Sequence, residues 1–235
     1  MISFPKIKGR PFFYTSFVAT VDGKTQVTTD AKAYWPIGSK ADYEMLLELR
    51  AHADILVHGK YTALWGKTLD SLAKETFRMR RRKLGKREDL PYMVITNTPD
   101  DALTDVLANP YDMKPYLVTA ENTIIPKELE GVVQHVELGD NKVDLSLLPV
   151  FLMKEECKSV LVEGGPTLLG GFLSLNLIDE IFLTIAPKIF GNNENVTLTM
   201  VEGVLFPPEK VKKLKLLSVK QVEDEVFLQY KVLHG

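Results

Sequence analysis

The chain of 235 residues contains a single cysteine, Cys157, so no disulfide can form within it. A lone thiol favours a reducing compartment, and we expect a cytoplasmic protein. No apolar stretch approaches the ~20 residues that cross a bilayer, so no membrane segment is expected. The first residues, MISFPKIKGR, also lack the apolar run of a secretory signal.

An excess of charge of one sign is also missing, because 29 basic and 31 acidic residues leave a net charge of −2. Global attraction to nucleic acid is therefore not expected. The local exception is RMRRRKLGKR at residues 78–87. A helix would place Arg78, Arg81 and Arg82 on one face. We expect this basic run to be a solvated helix face, with an anion site for a phosphorylated ligand as the alternative.

Strand-like and helix-like segments alternate along most of the chain. FFYTSFVAT at residues 12–20 and SVLVE at 159–163 predict buried strands. Apolar residues at helical spacing predict a helix over residues 41–53, and a second is predicted over 70–84. KLKLLSVK and EVFLQYKVL, separated by QVED, indicate a closing hairpin. We predict an α/β fold in one domain over residues 1–235: a mostly parallel sheet flanked by helices, with a C-terminal antiparallel hairpin.

The segment SVLVEGGPTLLGG has the most specific pattern in the chain. A buried strand ends at Glu163. Gly164 and Gly165 then let the backbone come close to a ligand, and Pro166 presets a first helical turn. The amides of that turn, from Thr167 onwards, point at an anion such as a nucleotide phosphate. A tight strand-to-helix turn without a ligand is the alternative.

Four short motifs follow one another in a compatible order. They are TVDGK, ending at Lys24; YWPIGS, with the isolated Trp35; LRAHADILVHGKYT, ending at Thr62; and the glycine segment continued to APKIFG. In these motifs the chain resembles the reductase domain of the riboflavin-pathway bifunctional deaminase-reductase, which has the fold of dihydrofolate reductase. The resemblance covers most of the chain.

This resemblance implies an NADPH-dependent reductase that is commonly a homodimer. Cofactor contacts then fall on Val18, Trp35, Thr62, Gly164, Gly165, Pro166, Thr167, Leu168 and Leu169. Val18 and Trp35 would lie along the nicotinamide half of the cofactor, and the others would hold its phosphates. Substrate contacts fall on Asp22, Lys24, Arg50 and Glu163. The residue types suit these roles, because arginine binds phosphate in a bidentate manner and carboxylates accept hydrogen bonds from hydroxyl and amino donors.

Simpler roles are open for several of these residues. Asp22 stands in a strong turn signal that needs no ligand. Arg50 can pair with an acidic neighbour such as Asp54, and Trp35 can serve packing alone. Reduction also needs a proton, for which Asp22, Lys24 and solvent are the candidates.

The expected reaction moves hydride from NADPH to an imine-type carbon of a (phospho)ribosylamino-pyrimidine, giving the ribitylamino form. Two departures from the family keep alternatives open: no aspartate-x-proline-x-leucine-x-x-arginine stretch follows Thr62, and Ala33 replaces a serine two positions before Trp35. The alternatives are a reductase of a pterin, a folate or another substrate on the same fold, and a nucleotide-binding module without catalysis.

The companion deaminase domain is not expected, because its zinc site requires a proline-cysteine-x-x-cysteine motif. The four histidines also lack the i, i+4 spacing of a helical metal site. We therefore expect no metal.

Overall fold

The computed structural model describes residues 2–27, 37–65, 68–108, 114–192 and 197–234. The chain divides into two compact units. Unit 1 comprises Met1–Phe12 and Leu49–Leu161, and unit 2 comprises Phe13–Glu48 and Val162–Gly235. That the whole chain is one domain stays a prediction. Within the described ranges, no helix is long and apolar enough to span a bilayer.

The described residues form eleven strands and seven α-helices. The strands are β1 (Phe12–Thr20), β2 (Gln26–Val27), β3 (Ile55–Gly59), β4 (Tyr92–Ile95), β5 (Tyr116–Thr119), β6 (Gln134–Glu137), β7 (Ser159–Val162), β8 (Glu180–Ala186), β9 (Thr197–Leu198), β10 (Lys213–Val222) and β11 (Glu225–Leu233). The helices are α1 (Lys40–His52), α2 (Lys60–Trp65), α3 (Thr68–Leu72), α4 (Glu75–Lys83), α5 (Ala102–Leu107), α6 (Leu148–Lys154) and α7 (Pro166–Ser174).

Unit 1 is built on strands in the order β7-β3-β4-β5-β6. The pairs β3–β4, β4–β5 and β5–β6 are parallel. Strands β4, β5 and β7 are buried at every position, as continuous apolar runs covered on both faces must be. Helix α2 packs against β3, β4 and α5.

Unit 2 contains strands in the order β10-β11-β8-β1. Strand β1 runs parallel to β8, and β11 pairs antiparallel with both β8 and β10. Strands β2 and β9 form a separate small antiparallel pair. The predicted α/β architecture, with a mostly parallel sheet, flanking helices and a closing hairpin, is confirmed.

The single helix predicted over residues 70–84 is wrong, because α3 ends at Leu72 and α4 begins at Glu75. Leu72 and Phe77 are both buried. Five residues of continuous helix would turn their side chains about 140° apart, at 3.6 residues per turn. The break between the helices lets both side chains face the core of unit 1.

Candidate functional site

The turn after β1 holds two of the predicted substrate contacts. The Gly23 amide donates to the Thr20 carbonyl at 2.9 Å, and Gly23 has a φ of +78°. The Thr20 hydroxyl accepts from the Lys24 amide at 2.9 Å and donates to the Asp22 carboxylate. The turn read from the sequence is therefore confirmed.

The Asp22 carboxylate also binds the loop that follows β8. It accepts from the amide of Gly191 at 2.8 Å and from that of Phe190 at 3.3 Å. The hydrogen bond from the Thr20 hydroxyl, followed by these two amides, holds the pKa of Asp22 below its usual value. Asp22 is therefore ionised over the physiological range, which makes it a poor proton donor. Its carboxylate links the turn after β1 to the loop after β8.

The glycine turn after β7 requires glycine at its first position. Gly164 has a φ of +101°, a conformation that L-residues rarely adopt. A Cβ added there would lie 3.0 Å from Cζ of Phe17. Gly165 then precedes the first helical residue of α7, and Pro166 occupies the first turn as predicted.

The start of α7 presents fewer open amides than the sequence predicts. The Leu169 amide donates to the Gly165 carbonyl at 3.0 Å, so it is used by the regular hydrogen bonding of the helix. The Leu169 side chain is buried. The amides of Thr167 and Leu168 precede it in the first turn, where a helix has no acceptor of its own. The Thr167 side chain is exposed and the Leu168 side chain is half-buried. An anion at this turn would therefore meet Thr167 and Leu168, and not the amide of Leu169.

The loop before residue 204 covers one side of α7. The Glu202 amide donates to the Pro166 carbonyl at 3.3 Å. A Cβ at Gly170 would lie 2.7 Å from the Glu202 carbonyl oxygen, so only glycine admits the loop there. A Cβ at Gly203 would lie 3.1 Å from the Thr167 methyl carbon. These contacts fix the start of α7 within unit 2.

The other predicted cofactor residues lie apart in the chain. Val18, in β1, is half-buried and pairs with Thr184 of β8. Trp35 lies outside the described residues. Thr62 is half-buried in α2 of unit 1, shortly after β3. The neighbouring Lys60 is tied to the Asp100 carboxylate. The roles of Val18, Trp35 and Thr62 stay predictions.

Arg50 is buried, with 6% of its surface exposed. One guanidinium nitrogen lies 3.4 Å from the Ser71 hydroxyl oxygen. Asp54, an expected surface partner, instead binds Lys86, with 2.7 Å between Nζ and Oδ1. Glu163, the remaining predicted substrate contact, is half-buried directly after β7. The substrate roles of Arg50 and Glu163 stay predictions.

The basic run is not merely a solvated helix face, because Arg81 is 1% exposed. Its guanidinium donates to the carbonyls of Ala51 at 3.1 Å, Ala53 at 2.7 Å and Arg87 at 2.7 Å. Arg78 pairs with Asp89 at 2.7 Å, so it also has a protein partner. The expectation of a solvated face is thus wrong for Arg81, which binds the end of α1.

Two facing carboxyl groups in unit 2, one buried and one half-buried, have no signal in the sequence. Glu225, at the start of β11, is 4% exposed and accepts from the Ser39 amide at 2.8 Å and from the Ser39 hydroxyl at 2.5 Å. Asp42, in α1, faces Glu225 and is hydrogen-bonded to Thr184. Burial raises the pKa of Asp42, the Thr184 hydrogen bond opposes this rise, and the Glu225 charge adds to it.

Comparison with known proteins gives consistent matches. A sequence model of the RibD C-terminal domain matches residues 11–228. The 2,5-diamino-6-ribosylamino-4(3H)-pyrimidinone 5′-phosphate reductase of Archaeoglobus fulgidus is 27% identical over 91% of this chain and 94% of that protein. The Aquifex aeolicus protein of the same name is 31% identical over 88% of each. A pyrimidine reductase-like protein from Corynebacterium diphtheriae has the same fold, with a TM-score of 0.72, 20% identity and coverage of 96% and 93%.

Proposed function

Because the chain belongs to the RibD C-terminal domain family, we propose that it is an NADPH-dependent reductase of riboflavin biosynthesis. Its substrate is a ribosylamino-pyrimidine 5′-phosphate, which it reduces to the ribitylamino form. The observation that carries this proposal is the family match over residues 11–228. The names of the Archaeoglobus and Aquifex relatives support the substrate class.

The start of α7 fits a cofactor phosphate. Gly164 and Gly165 have no side chains, so a phosphate can come close to the backbone at the turn. The α7 dipole favours an anion at the first residues of the helix. We assign the phosphate contacts to the amides of Thr167 and Leu168 and to the Thr167 hydroxyl. When bound, NADPH supplies the hydride, and the chain orients the two reactants.

Substrate binding is assigned to Asp22, Lys24, Arg50 and Glu163, with Val18, Trp35 and Thr62 beside the cofactor. In the reaction, the imine carbon takes the hydride and the nitrogen takes a proton. The low pKa of Asp22 argues against it as the proton donor. The donor is therefore Lys24 or solvent, and Asp22 holds the loop that carries Phe190 and Gly191.

Fluorescence titration with NADPH and NADH tests the cofactor assignment first. We expect NADPH to bind with at least micromolar affinity and more tightly than NADH. Gly165→Val should weaken NADPH binding more than tenfold, because a branched side chain blocks the backbone approach. Ser174→Val, at the far end of α7, is the matched control and should bind as the wild type does. Equal binding by folded Gly165→Val protein would refute the phosphate assignment.

Turnover assays test the substrate assignment. We expect NADPH oxidation with a phosphoribosylamino-pyrimidine. Oxidation with dihydrofolate or a dihydropterin, and not with this pyrimidine, would instead support a pterin or folate reductase, the alternative that the missing motif after Thr62 keeps open. Glu163→Gln should raise KM or lower kcat while leaving NADPH titrations nearly unchanged. Equal loss of both properties would place Glu163 in cofactor binding or folding.

The chain is further proposed to act as a homodimer in the cytoplasm, with one face of the hairpin sheet as the interface. Residues that pair directly across antiparallel strands share a face. The pairs Leu214–Val232, Leu216–Tyr230, Val219–Leu228 and Val226–Ile185 are all on one face. Leu214, Leu216 and Val219 are 41%, 49% and 57% exposed. A contiguous apolar patch on an edge strand marks an interaction site, and a second copy of the same face matches its apolar character.

Analytical ultracentrifugation tests the dimer. The double variant Leu216→Lys, Val219→Lys should sediment as a monomer at concentrations where the wild type is dimeric. Leu205→Lys, at a 90% exposed position outside the strands, is the control and should remain dimeric. A monomeric wild type, or a dimer that the double variant does not weaken, would overturn this proposal.

A further inference from the structure

One loop contacts α7 at three positions near the start of the helix. The loop comprises residues 199–204 and belongs to unit 2, as α7 does. Its Glu202 amide donates to the Pro166 carbonyl at 3.3 Å. Its Glu202 carbonyl oxygen would lie 2.7 Å from a Cβ added at Gly170. The third position is Thr167, which the proposed function places against the cofactor phosphate.

The contact at Thr167 distinguishes its methyl group from its hydroxyl group. A Cβ added at Gly203 would lie 3.1 Å from the Thr167 methyl carbon and 4.0 Å from Thr167 Cβ. No other heavy atom in the described part of the chain, the immediate neighbours of Gly203 aside, lies within 4 Å of that point. The hydroxyl oxygen is therefore farther from the loop than the methyl is. Because the β-branched side chain of threonine has few χ1 rotamers, a loop that holds the methyl also fixes the direction of the hydroxyl.

Glu202 fixes the loop that makes this contact. Its carboxylate accepts a hydrogen bond from the Thr199 amide at 2.7 Å, and the same carboxylate oxygen lies 2.8 Å from the Thr199 hydroxyl oxygen. The Thr25 hydroxyl donates to the Thr199 carbonyl at 3.0 Å, which ties this end of the loop to the segment before β2. Gly203 follows with a φ of +74°. The Glu202 side chain thus closes the loop, and the Glu202 amide docks it on α7.

We propose that Glu202 and Gly203 are positioning residues for the cofactor site. They hold the Thr167 methyl against the loop, and this leaves the Thr167 hydroxyl and the first amides of α7 in the orientation that a phosphate group requires. Neither residue touches the phosphate. Groups that are already oriented bind more tightly, because less rotamer freedom is lost on binding. This role rests on the proposed cofactor function, since it concerns the same phosphate contact.

The rotamer of Thr167 can be measured without any cofactor. Three-bond couplings from the Thr167 methyl carbon to the backbone nitrogen and carbonyl carbon report χ1 in solution. We expect one rotamer in the wild type and an average over rotamers in Glu202→Ala. Glu202→Gln keeps an oxygen that accepts from Thr199, so it should keep one rotamer. An averaged wild type, or a single rotamer in Glu202→Ala, would overturn the positioning role whatever the affinity for NADPH.

Fluorescence titration with NADPH measures the effect on binding. Gly203→Ala adds a Cβ that displaces the Thr167 methyl, and we expect about threefold to tenfold weaker binding, the cost of one displaced rotamer. Gly131→Ala is the matched control and should bind as the wild type does, because Gly131 has the same φ of +74° and no described heavy atom within 4 Å of an added Cβ. Thr167→Ser removes the methyl. It should weaken binding in the wild type, where the hydroxyl becomes free to rotate, and improve binding in Gly203→Ala, where the clash disappears.

Further outcomes separate the positioning role from the phosphate contact. Thr167→Val keeps the branched shape and removes the hydroxyl. Unchanged NADPH binding by this variant would refute the phosphate contact and the positioning role with it. Weaker binding by Thr167→Val, together with equal binding by Gly203→Ala and Gly131→Ala, would refute the positioning role alone. Tighter binding by Glu202→Gln would also refute it, because Glu202 would then act by repelling the phosphate.

Discussion

The Arg81 guanidinium donates a hydrogen bond to the carbonyl of Ala53 at 2.7 Å, just beyond the last residue of α1. The same nitrogen reaches the carbonyls of Ala51 at 3.1 Å and Arg50 at 3.3 Å. The last carbonyls of a helix have no acceptor role within it, and they carry the negative end of the helix dipole. Arg81 therefore serves as the donor to the buried carbonyls of Ala51 and Ala53, whereas the Arg50 carbonyl also accepts from the Ala53 amide at 3.2 Å.

Arg81→Ala should lower the free energy of unfolding by about 3 kcal/mol, because it leaves the buried carbonyls of Ala51 and Ala53 without this donor. Lys83→Ala, on the exposed side of the same helix, should change it by less than about 0.5 kcal/mol. Urea unfolding followed by circular dichroism measures both variants. Similar midpoints for the two would mean that the Arg81 hydrogen bonds contribute no net stability.

Local patterns predict the strands well, because the apolar and β-branched content of each segment reflects how deeply that strand is buried. FFYTSFVAT matches β1 from Phe12 to Thr20, and the hairpin was visible in two alternating runs around a polar turn. The strand-to-helix turn at Gly164 and Gly165 was also visible, since glycine and proline report backbone geometry directly. These features depend on neighbours in the sequence.

Long-range polar pairing was not predictable from the sequence. The basic run of α4 contains several arginines, and nothing local distinguishes Arg81, whose acceptors lie about 30 residues earlier. The contact between Asp42 and Glu225 likewise joins a helix start to the last strand. The break between α3 and α4 arises because Leu72 and Phe77 both enter the core. Helical periodicity alone cannot predict this break, because it depends on packing.

The raised pKa of Asp42 makes its contribution to stability depend on pH. A carboxyl whose pKa is higher in the folded than in the unfolded state contributes its full stability below the unfolded value of about 3.9 and loses it as pH rises through the folded pKa. Asp42→Asn should therefore gain in unfolding free energy relative to the wild type between pH 4 and pH 7. Urea titrations at both pH values measure this change, and a constant difference would contradict it.

Asp22 should show the opposite pH dependence, because its folded pKa is lowered. Its contribution is present above the unfolded value and is lost as pH falls through the folded pKa. Asp22→Asn should therefore lose more stability at pH 7 than at pH 3, relative to the wild type. The same urea titrations apply. A change in the direction expected for Asp42→Asn would mean that the bonds from Thr20 and Gly191 do not stabilise the charge.

Gly164→Ala should destabilise the chain for two separable reasons. The φ of +101° strains any L-residue, and the new Cβ would lie 3.0 Å from Phe17 Cζ. Gly9→Ala is the matched control, because Gly9 has a φ of +83° and no heavy atom within 4 Å of the added Cβ. We expect a loss of about 1 kcal/mol at Gly9 and about 2–3 kcal/mol at Gly164, measured by thermal unfolding. Equal losses would assign the whole effect to the backbone.

Cys157 should be nearly inert in the folded protein although it is half-buried and not fully enclosed. Burial first, then the charges of Asp54 and Glu155, raise the pKa of its thiol to about 12. Only the thiolate attacks disulfide reagents, so at pH 8 the reactive fraction is about a thousandfold lower than for an ordinary thiol of pKa near 8.5–9. Reaction with 5,5′-dithiobis(2-nitrobenzoic acid), followed by absorbance, should be at least about twentyfold slower in buffer than in 8 M urea, because the higher nucleophilicity of the native thiolate offsets part of its lower population. Cys157→Ser gives the background rate. Native and unfolded rates within tenfold of each other would show that the thiol meets solvent as an ordinary cysteine does.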